Sequence, residues 1–439
     1  MSSNKIKVVP INEFLSTDFK GFSLYDCITN IPSIIDGLKV SQRKTMWTVL
    51  NNSKSFTVEQ LASLVASYTK YHHGATSLES VAVGLAQDFT GSNNVNWLVP
   101  DGQFGNILSH ESSAARYIST SLHSNWRKWF KKDEDLVMDF EIEDGDITEP
   151  KFFIPLAPTV LFNGGSGVGT GYSCSMQCYN PADVIVNIKL AIKGKPLNAM
   201  LPYYKGYKGT VRQEGTQTVY TGVYEKVNTT TLKITQLPIG YDLEKYKSIL
   251  IGLINAGEIK EFDDHSSESE WCIYVYAHRE WIKQPPEMIV DALKLTTRNS
   301  NNFVLWNENG RIVRFADPSE IIKYFVDWRL KKFDERRLKL IDNHQKNLQW
   351  LNEKKTFIEY FIANSKELVN LGKTDLANNL IANGFESVDK LLQIRIYNMT
   401  KDEIESLQSE ICDVMATVGE LQSSTPEKMY LDELGAIKL

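Results

Sequence analysis

Apolar positions between residues 57 and 89 recur at helical spacing in two blocks. Leu61, Leu64, Val65 and Tyr68 fall at i, i+3, i+4 and i+7, one buried stripe, and Thr57 with Gln60 three residues on forms a capping box at the start. Tyr71-His72-His73-Gly74 breaks the pattern. A second helix is predicted from about Ser77, with Leu78, Val81, Ala82, Leu85 and Phe89 along one side. Two such helices joined by a Gly-containing turn have the form of a helix-turn-helix, which puts its second helix in a major groove, and equally of a plain packing unit. The polar, Gly-containing stretch Asn93 to Gly105 reads as loop.

Beyond residue 150 the period changes. Seven prolines between Pro150 and Pro238 punctuate β-leaning runs such as Thr231 to Leu237, with Trp271 to Tyr276 following, which predicts a mixed α+β domain. Asp317-Pro318-Ser319-Glu320 then marks a helix start, with an Asp cap, Pro at the first helical position and Glu completing the box; no Gly or Pro follows until Gly372. Thr400 to Glu403 opens a second long helix. Its apolar residues Ile404, Leu407, Ile411, Val414, Val418 and Leu421 are spaced 3, 4, 3, 4, 3, the repeat of a supercoiled seam. Leu330, Phe333, Ile341, Leu348 and Leu351 make a less regular first arm. The pattern predicts an antiparallel coiled-coil hairpin turning through a helical knob near residues 368–397, and an apolar knob of this kind meets a copy of itself across a two-fold axis.

The chain of 439 residues, 42% hydrophobic and 23% charged, has the composition of a folded protein of two or three domains. No apolar run approaches the ~18 residues of a membrane span, and the N-terminal segment lacks the apolar core of a secretory signal. Five scattered cysteines suit free thiols in a reducing compartment better than a disulfide scaffold. A net charge of −6 alone speaks against a nucleic-acid partner, but the charge is uneven. Residues 36–132 hold ten Lys/Arg against six Asp/Glu, with four of the seven histidines, whereas residues 133–149 hold nine acids and no base. Solvated helix faces give such counts; so does a basic surface for phosphates, because screening limits each charge to a reach of ~8–10 Å.

Several standard sites are missing from the sequence. Gly372-Lys373-Thr374 ends like a P-loop, but the upstream glycine position is Glu367. The Gly-rich run 163–171 fits GxGxxG in no register, and neither HExxH nor a paired CxxC occurs. Asp144-Gly145-Asp146 suggests a metal-binding DxD without the further carboxylate such a site needs. The sequence therefore offers neither an ATPase site nor a metal site. Arg116-Tyr117 remains. A phenol is a weak nucleophile unless a cation stabilises its phenolate; an adjacent guanidinium can do that or clamp a phosphate, although by itself an Arg-Tyr pair is far more often structural.

IPSIIDGLKVSQRK (31–44), YHHG (71–74), LAQDFTGSNN (85–94), GQFG (102–105), AARY (114–117) and NGGSGVGTG (163–171) follow one another along the chain. In kind and order they resemble the DNA breakage-reunion region of the type IIA DNA topoisomerases, and the coiled-coil hairpin extends the likeness to nearly the whole chain. The breakage-reunion part standing without a DNA-wrapping domain resembles the phage branch of that family, in which a medium subunit has this organisation. The likeness implies an α+β multidomain fold. An N-terminal arm (1–25) would precede a winged-helix DNA-binding domain (26–155), a mixed α/β tower domain (156–315) and a long antiparallel coiled coil (316–439) with a helical dimerisation knob at about 368–397.

By the same likeness Tyr117 attacks a DNA backbone phosphorus, leaving a 5′-phosphotyrosyl bond, and Arg116 stabilises the transition state. Lys39, Arg43, Lys44, His72 and His73 would contact phosphates. Ser77 stands at a drug-contacting position, and Val168 at the wedge that bends the duplex. Mg2+ and ATP would reach the reaction through one or more ATPase/TOPRIM partner subunits and not through this chain. The implied partners are double-stranded DNA, a second copy through the knob, and those subunits, with no membrane. The implied location is the cytoplasm, a bacterial host's for a phage product, and the implied outcome is ATP-dependent relaxation of supercoils. Two positions depart from the family: Thr29 stands where cellular members have an arginine, and Val40 where they have a proline. A non-enzymatic architectural protein, a winged helix on a coiled-coil dimer, would use the same features and not need Tyr117.

Overall fold

The computed structural model describes residues 9–52 and 54–438. The chain divides into two compact units, one running to Trp328 and rejoined from Ala436, the other Arg329–Gly435. The first opens with α1 (Ile11–Ser16) and α2 (Asp18–Asn30), so the expected arm is helical and its second helix continues past residue 25. Of these two helices only Cys27 is buried. Then come α3 (Val40–Asn51), β1 (Phe56–Thr57), α4 (Val58–Tyr68) and α5 (Ala75–Ala86).

The capping box at Thr57 forms in both directions: Gln60 N donates to Thr57 Oγ1 at 3.2 Å, and Thr57 N donates to Gln60 Oε1 at 3.3 Å. Leu61 and Val65 are buried as their spacing requires, but Tyr68 is exposed, because α4 ends there and Thr69 takes the inner position. Helix α5 starts at Ala75, two residues before the predicted position. Gly74 is its extended N-cap, and Ala75 and Thr76 face solvent, so they leave no mark on the hydrophobic pattern. Residues 93–105 are irregular as expected, yet Val95, Trp97, Leu98 and Phe104 are buried, and Asn94 Nδ2 donates to the carbonyls of Phe162, Tyr179 and Tyr203.

Strand β2 (Ser119–Thr120) pairs antiparallel with β1. Two hairpins follow, β3 (Phe140–Glu143) with β4 (Asp146–Pro150), and β5 (Gly165–Gly169) with β6 (Tyr172–Met176). Further on, β7 (Thr210–Glu214), β8 (Gln217–Thr221) and β13 (Thr296–Ser300) form a sheet in the order 13-8-7. A second sheet, in the order 11-12-10-9, holds β9 (Val223–Lys226), β10 (Thr231–Gln236), β11 (Glu261–Asp264) and β12 (Ile273–Tyr276). The two predicted β runs thus lie side by side as β10 and β12. Leu232, Ile234, Ile273 and Val275 there pack on Leu243, Tyr246 and Leu250 of the helix Leu243–Asn255. Strands β14 (Phe303–Trp306) and β15 (Ile312–Phe315) form a last hairpin.

The helix Pro318–Leu368 begins as predicted. Asp317 Oδ1 accepts from the N–H groups of Ser319 and Glu320 at 2.7 and 3.1 Å, and Ala316 N donates to Glu320 Oε2 at 2.7 Å. The backbone leaves helical geometry at Asn364. The boundary between the two units falls inside this helix, whose first turns, with Ile321, Ile322, Phe325 and Val326 buried, belong to the first unit. In the second unit Leu351, Phe357 and Ile358 form one core with Leu380, Phe385 and Leu391, and with Leu407 and Ile411 of the helix Lys401–Ser423. The architecture is α+β and multidomain, and among the described residues no helix is long and apolar enough to cross a membrane.

Candidate nucleic-acid interface

The segment carrying Arg116 and Tyr117 is clamped on both sides. Val58 N donates to Ile118 O at 3.0 Å, Glu59 N to Ala115 O at 3.3 Å and Ser113 N to Gln103 O at 2.9 Å. Ile118 is buried against Gly102, whose positive φ of 106° leaves a side chain there both strained and pressed onto Ile118. On this fixed backbone Tyr117 is 73% exposed, and the Arg116 guanidinium sits 4.9 Å from its ring centroid, within cation–π range. The Tyr117 hydroxyl makes no hydrogen bond among the described residues.

Residues Ser112 to Ala115 and the α5 residues Glu79, Ser80, Val83 and Gly84, with Gln87 just beyond the helix, line one cavity of about 340 Å³. Gln87, absent from the expected site, staples this region: its Nε2 donates to Phe104 O at 2.8 Å and to His110 O at 3.0 Å. His110 stacks on Phe89 at 4.9 Å, and burial pushes its imidazole below the ordinary histidine range, Asp242 opposing and Lys245 adding to the effect. Nothing in the hydrophobic periodicity marks Gln87, because its work is done by a polar tip.

The turn between α4 and α5 is held from two directions. His72 Nε2 lies 3.1 Å from Glu143 Oε1 on β3, and His73 Nε2 lies 2.5 Å from the Tyr25 hydroxyl on α2. Both imidazoles are exposed, as is Ser77, whose Oγ is 3.3 Å from the Tyr71 hydroxyl. Lys70 Nζ lies 2.9 Å from Asp146 and 3.8 Å from Asp144. The acid-rich segment therefore folds back on the basic one and neutralises part of it. The two carboxylates of the DxD face a lysine, and among the described residues no cluster of His, Cys, Asp and Glu could hold a metal ion.

Two of the expected phosphate contacts lie inside the fold, each paired with a carboxylate. Arg43 is buried, its Nε 2.7 Å from Asp36 Oδ2 and its Nη2 3.0 Å from Asp36 Oδ1, with Leu38 O at 3.2 Å. Lys44 is buried too, its Nζ donating to Thr69 O at 2.7 Å and to Glu149 Oε2 at 2.8 Å. Both sit on the inner face of α3 with Met46 and Val49, where a charge persists only if paired. Lys39, at the α3 N-cap, is half-buried, and burial lowers its pKa. With Gln42, Asn163, Gly164, Gly165 and Ser166 it lines a cavity of about 210 Å³.

Helix α2 backs the β5–β6 hairpin. A Cβ at Gly167 would stand 2.0 Å from Asn30 O, and one at Gly169 2.9 Å from Cys27 Sγ. Asp26 Oδ2 accepts from both the N–H and the hydroxyl of Thr170 at 2.8 Å. Between the two glycines Val168 is 77% exposed, not tucked into a turn. Thr29 supplies no cation, and its hydroxyl returns to Tyr25 O at 2.8 Å.

Three comparisons bear on this geometry. The family model for the A subunit of DNA gyrase/topoisomerase IV matches residues 30–437. DNA topoisomerase 2 of Arabidopsis thaliana is 30% identical over 98% of this chain and 33% of its own length, and that of Candida albicans 34% identical over 88% and 27%. The chain thus spans about a third of the length of these relatives. A crystal structure of the Plasmodium falciparum topoisomerase II DNA-binding, cleavage and re-ligation domain superposes with a TM-score of 0.90 at 31% identity, covering 96% of this chain and 63% of that one. These relatives are eukaryotic, so the expected bacterial-host location draws no support from them. With nearly its whole length matched, the chain belongs to the family of DNA gyrase and topoisomerase IV A subunits.

Proposed function

We propose that this chain is the DNA cleavage and religation subunit of a type II topoisomerase, with Tyr117 as nucleophile. The observation that carries the reading is the exposed Tyr117 phenol beside the Arg116 guanidinium on a backbone clamped at Ala115 and Ile118. The Tyr117 oxygen attacks a backbone phosphorus and loses its proton. The bond from phosphorus to the 3′ oxygen breaks, and that oxygen takes up a proton as a free 3′-hydroxyl while the 5′ phosphate stays on the enzyme. One phosphodiester replaces another, so resealing needs no fresh high-energy bond. Arg116 offsets the charge that builds on the phosphoryl oxygens.

Around this step α4 and α5 serve as the helical pair of a winged-helix domain, and His72, His73, Ser77 and Lys39 meet the DNA backbone. Val168, an apolar side chain projecting from a glycine hairpin, wedges a base step and bends the duplex. The sheet region from β7 to β13 is the tower. The helices Pro318–Leu368 and Lys401–Ser423 form the coiled coil, and the exposed Ile381, Ile396 and Tyr397 of the knob meet a second copy. Mg2+ and ATP enter through ATPase and TOPRIM partner subunits.

The test mixes the chain with such a partner, magnesium and duplex DNA, and denatures the products. Tyr117→Phe should abolish the covalent protein–DNA complex while leaving DNA binding intact. Undiminished adduct in that variant overturns the assignment.

A further inference from the structure

We propose that Tyr25 is a positioning residue for His73, fixing the imidazole so that its Nδ1–H faces outward to a DNA phosphate; this rests on the breakage-reunion reading above. The Tyr25 hydroxyl meets His73 Nε2 at 2.5 Å across 48 residues of sequence, and the edge of Tyr71 lies against the same imidazole at 5.2 Å. In the neutral imidazole the phenol donates to Nε2, so the single ring proton is held on Nδ1. In the imidazolium both nitrogens carry protons, and the phenol oxygen accepts from Nε2 instead. In either state Nδ1 is a donor, and it has no partner among the described residues. Without the hydroxyl, a neutral His73 is free to move its proton to Nε2 and offer the phosphate a lone pair.

Among the described residues the hydrogen-bond and ring contacts to His73 come from Tyr25 of α2 and Tyr71 of its own turn. The nearby cation Lys70 is held by Asp146, and His72 by Glu143. Helix α2 also carries Cys27 and Asn30 against the glycines that flank Val168. The same helix therefore sets the height of the exposed valine and the orientation of the exposed histidine, tying two elements far apart in sequence to one support.

The experiment is a double-mutant cycle on the full chain reconstituted with its ATPase/TOPRIM partner, using Tyr25→Phe, His73→Ala and the pair, with a duplex oligonucleotide and magnesium. One hydrogen bond's worth of positioning predicts a three- to tenfold loss of cleavage (roughly) in Tyr25→Phe. His73→Ala should lose at least as much, and the double variant no more than His73→Ala. Additive losses, or full cleavage in Tyr25→Phe, overturn the proposal. A second readout needs no DNA: in the ¹⁵N-histidine-labelled free chain at a pH where His73 is neutral, the parent should show His73 protonated on Nδ1 and Tyr25→Phe a shift toward Nε2. An unchanged tautomer also overturns it. If the parent forms no adduct at all, the breakage-reunion reading fails, whereas the tautomer still reports on Tyr25.

Discussion

Arg43 holds Asp36 through two parallel hydrogen bonds, Nε to Oδ2 and Nη2 to Oδ1, with both side chains out of solvent. Asp36 also accepts from the backbone N–H groups of Leu38 at 3.1 Å and Phe153 at 3.0 Å, so one carboxylate ties the start of α3 to the chain beyond β4. Removing the guanidinium leaves that carboxylate buried and short of its counter-charge. Arg43→Ala is therefore expected to cost about 3–5 kcal/mol of stability. Chemical denaturation measures it, and an unchanged midpoint would return Arg43 to the DNA surface.

Lys39 and Lys44 should separate in salt dependence. Removing one cation from a DNA phosphate lowers the slope of log K against log [salt] by about 0.9. Lys39→Ala is expected to show such a change with little loss of stability. Lys44→Ala should lose stability, because Glu149 and Thr69 O are left without their buried donor, and leave the slope alone. Binding isotherms at three salt concentrations decide between the two patterns.

The contrast shows what was legible in the sequence. The capping boxes at Thr57 and Asp317 and the helix opening at Thr400 were readable because each is a local pattern with one physical meaning. The burial of Arg43 and Lys44 is not legible in the sequence, because a motif gives residue types in order and says nothing of the side of α3 on which each lies. Their partners Asp36 and Glu149 stand 7 and 105 residues away. Tyr25 left no signal, and Gln87 stood within the LAQDFTGSNN motif with nothing to mark its role. Their contacts run from polar tips to distant atoms, and hydrophobic periodicity does not register those.

In the second unit Glu353 Oε1 accepts from the backbone N–H groups of Glu386 and Ser387 at 2.6 and 2.7 Å, at the entry to the short helix Val388–Leu391. Burial alone would raise its pKa, but the Ser387 and Glu386 bonds, with Lys390 nearby, hold it below the ordinary glutamate range. A depressed carboxyl contributes stability that is complete above the unfolded pKa and is lost as pH falls through the folded one. The knob should therefore loosen on acidification below about pH 4. Glu353→Gln should be weaker at neutral pH and lose that part of the acid dependence, as urea midpoints between pH 6 and pH 3 would show. An identical acid profile in both chains would rule out Glu353 as the group responsible.

Gly167 and Val168 are neighbours with opposite duties, and substitutions should separate them. A methyl at Gly167 would stand 2.0 Å from Asn30 O, a backbone atom with no rotamer to yield, so Gly167→Ala must lift the hairpin off α2 or bend the helix end. It should lower thermal stability by a few degrees and reduce cleavage together. Val168→Ala removes two methyls from a side chain that is 77% exposed and should leave the melting temperature within error, consistent with the ~0.5 kcal/mol scatter of surface changes. If the valine wedges a base step, that silent change should still weaken DNA bending and cleavage, and Val168→Ile should retain both. Bending measured by fluorescence transfer between duplex ends, run beside the melting curves, distinguishes the two. A Val168→Ala protein that bends and cuts DNA as the parent does would leave the exposed valine without that role.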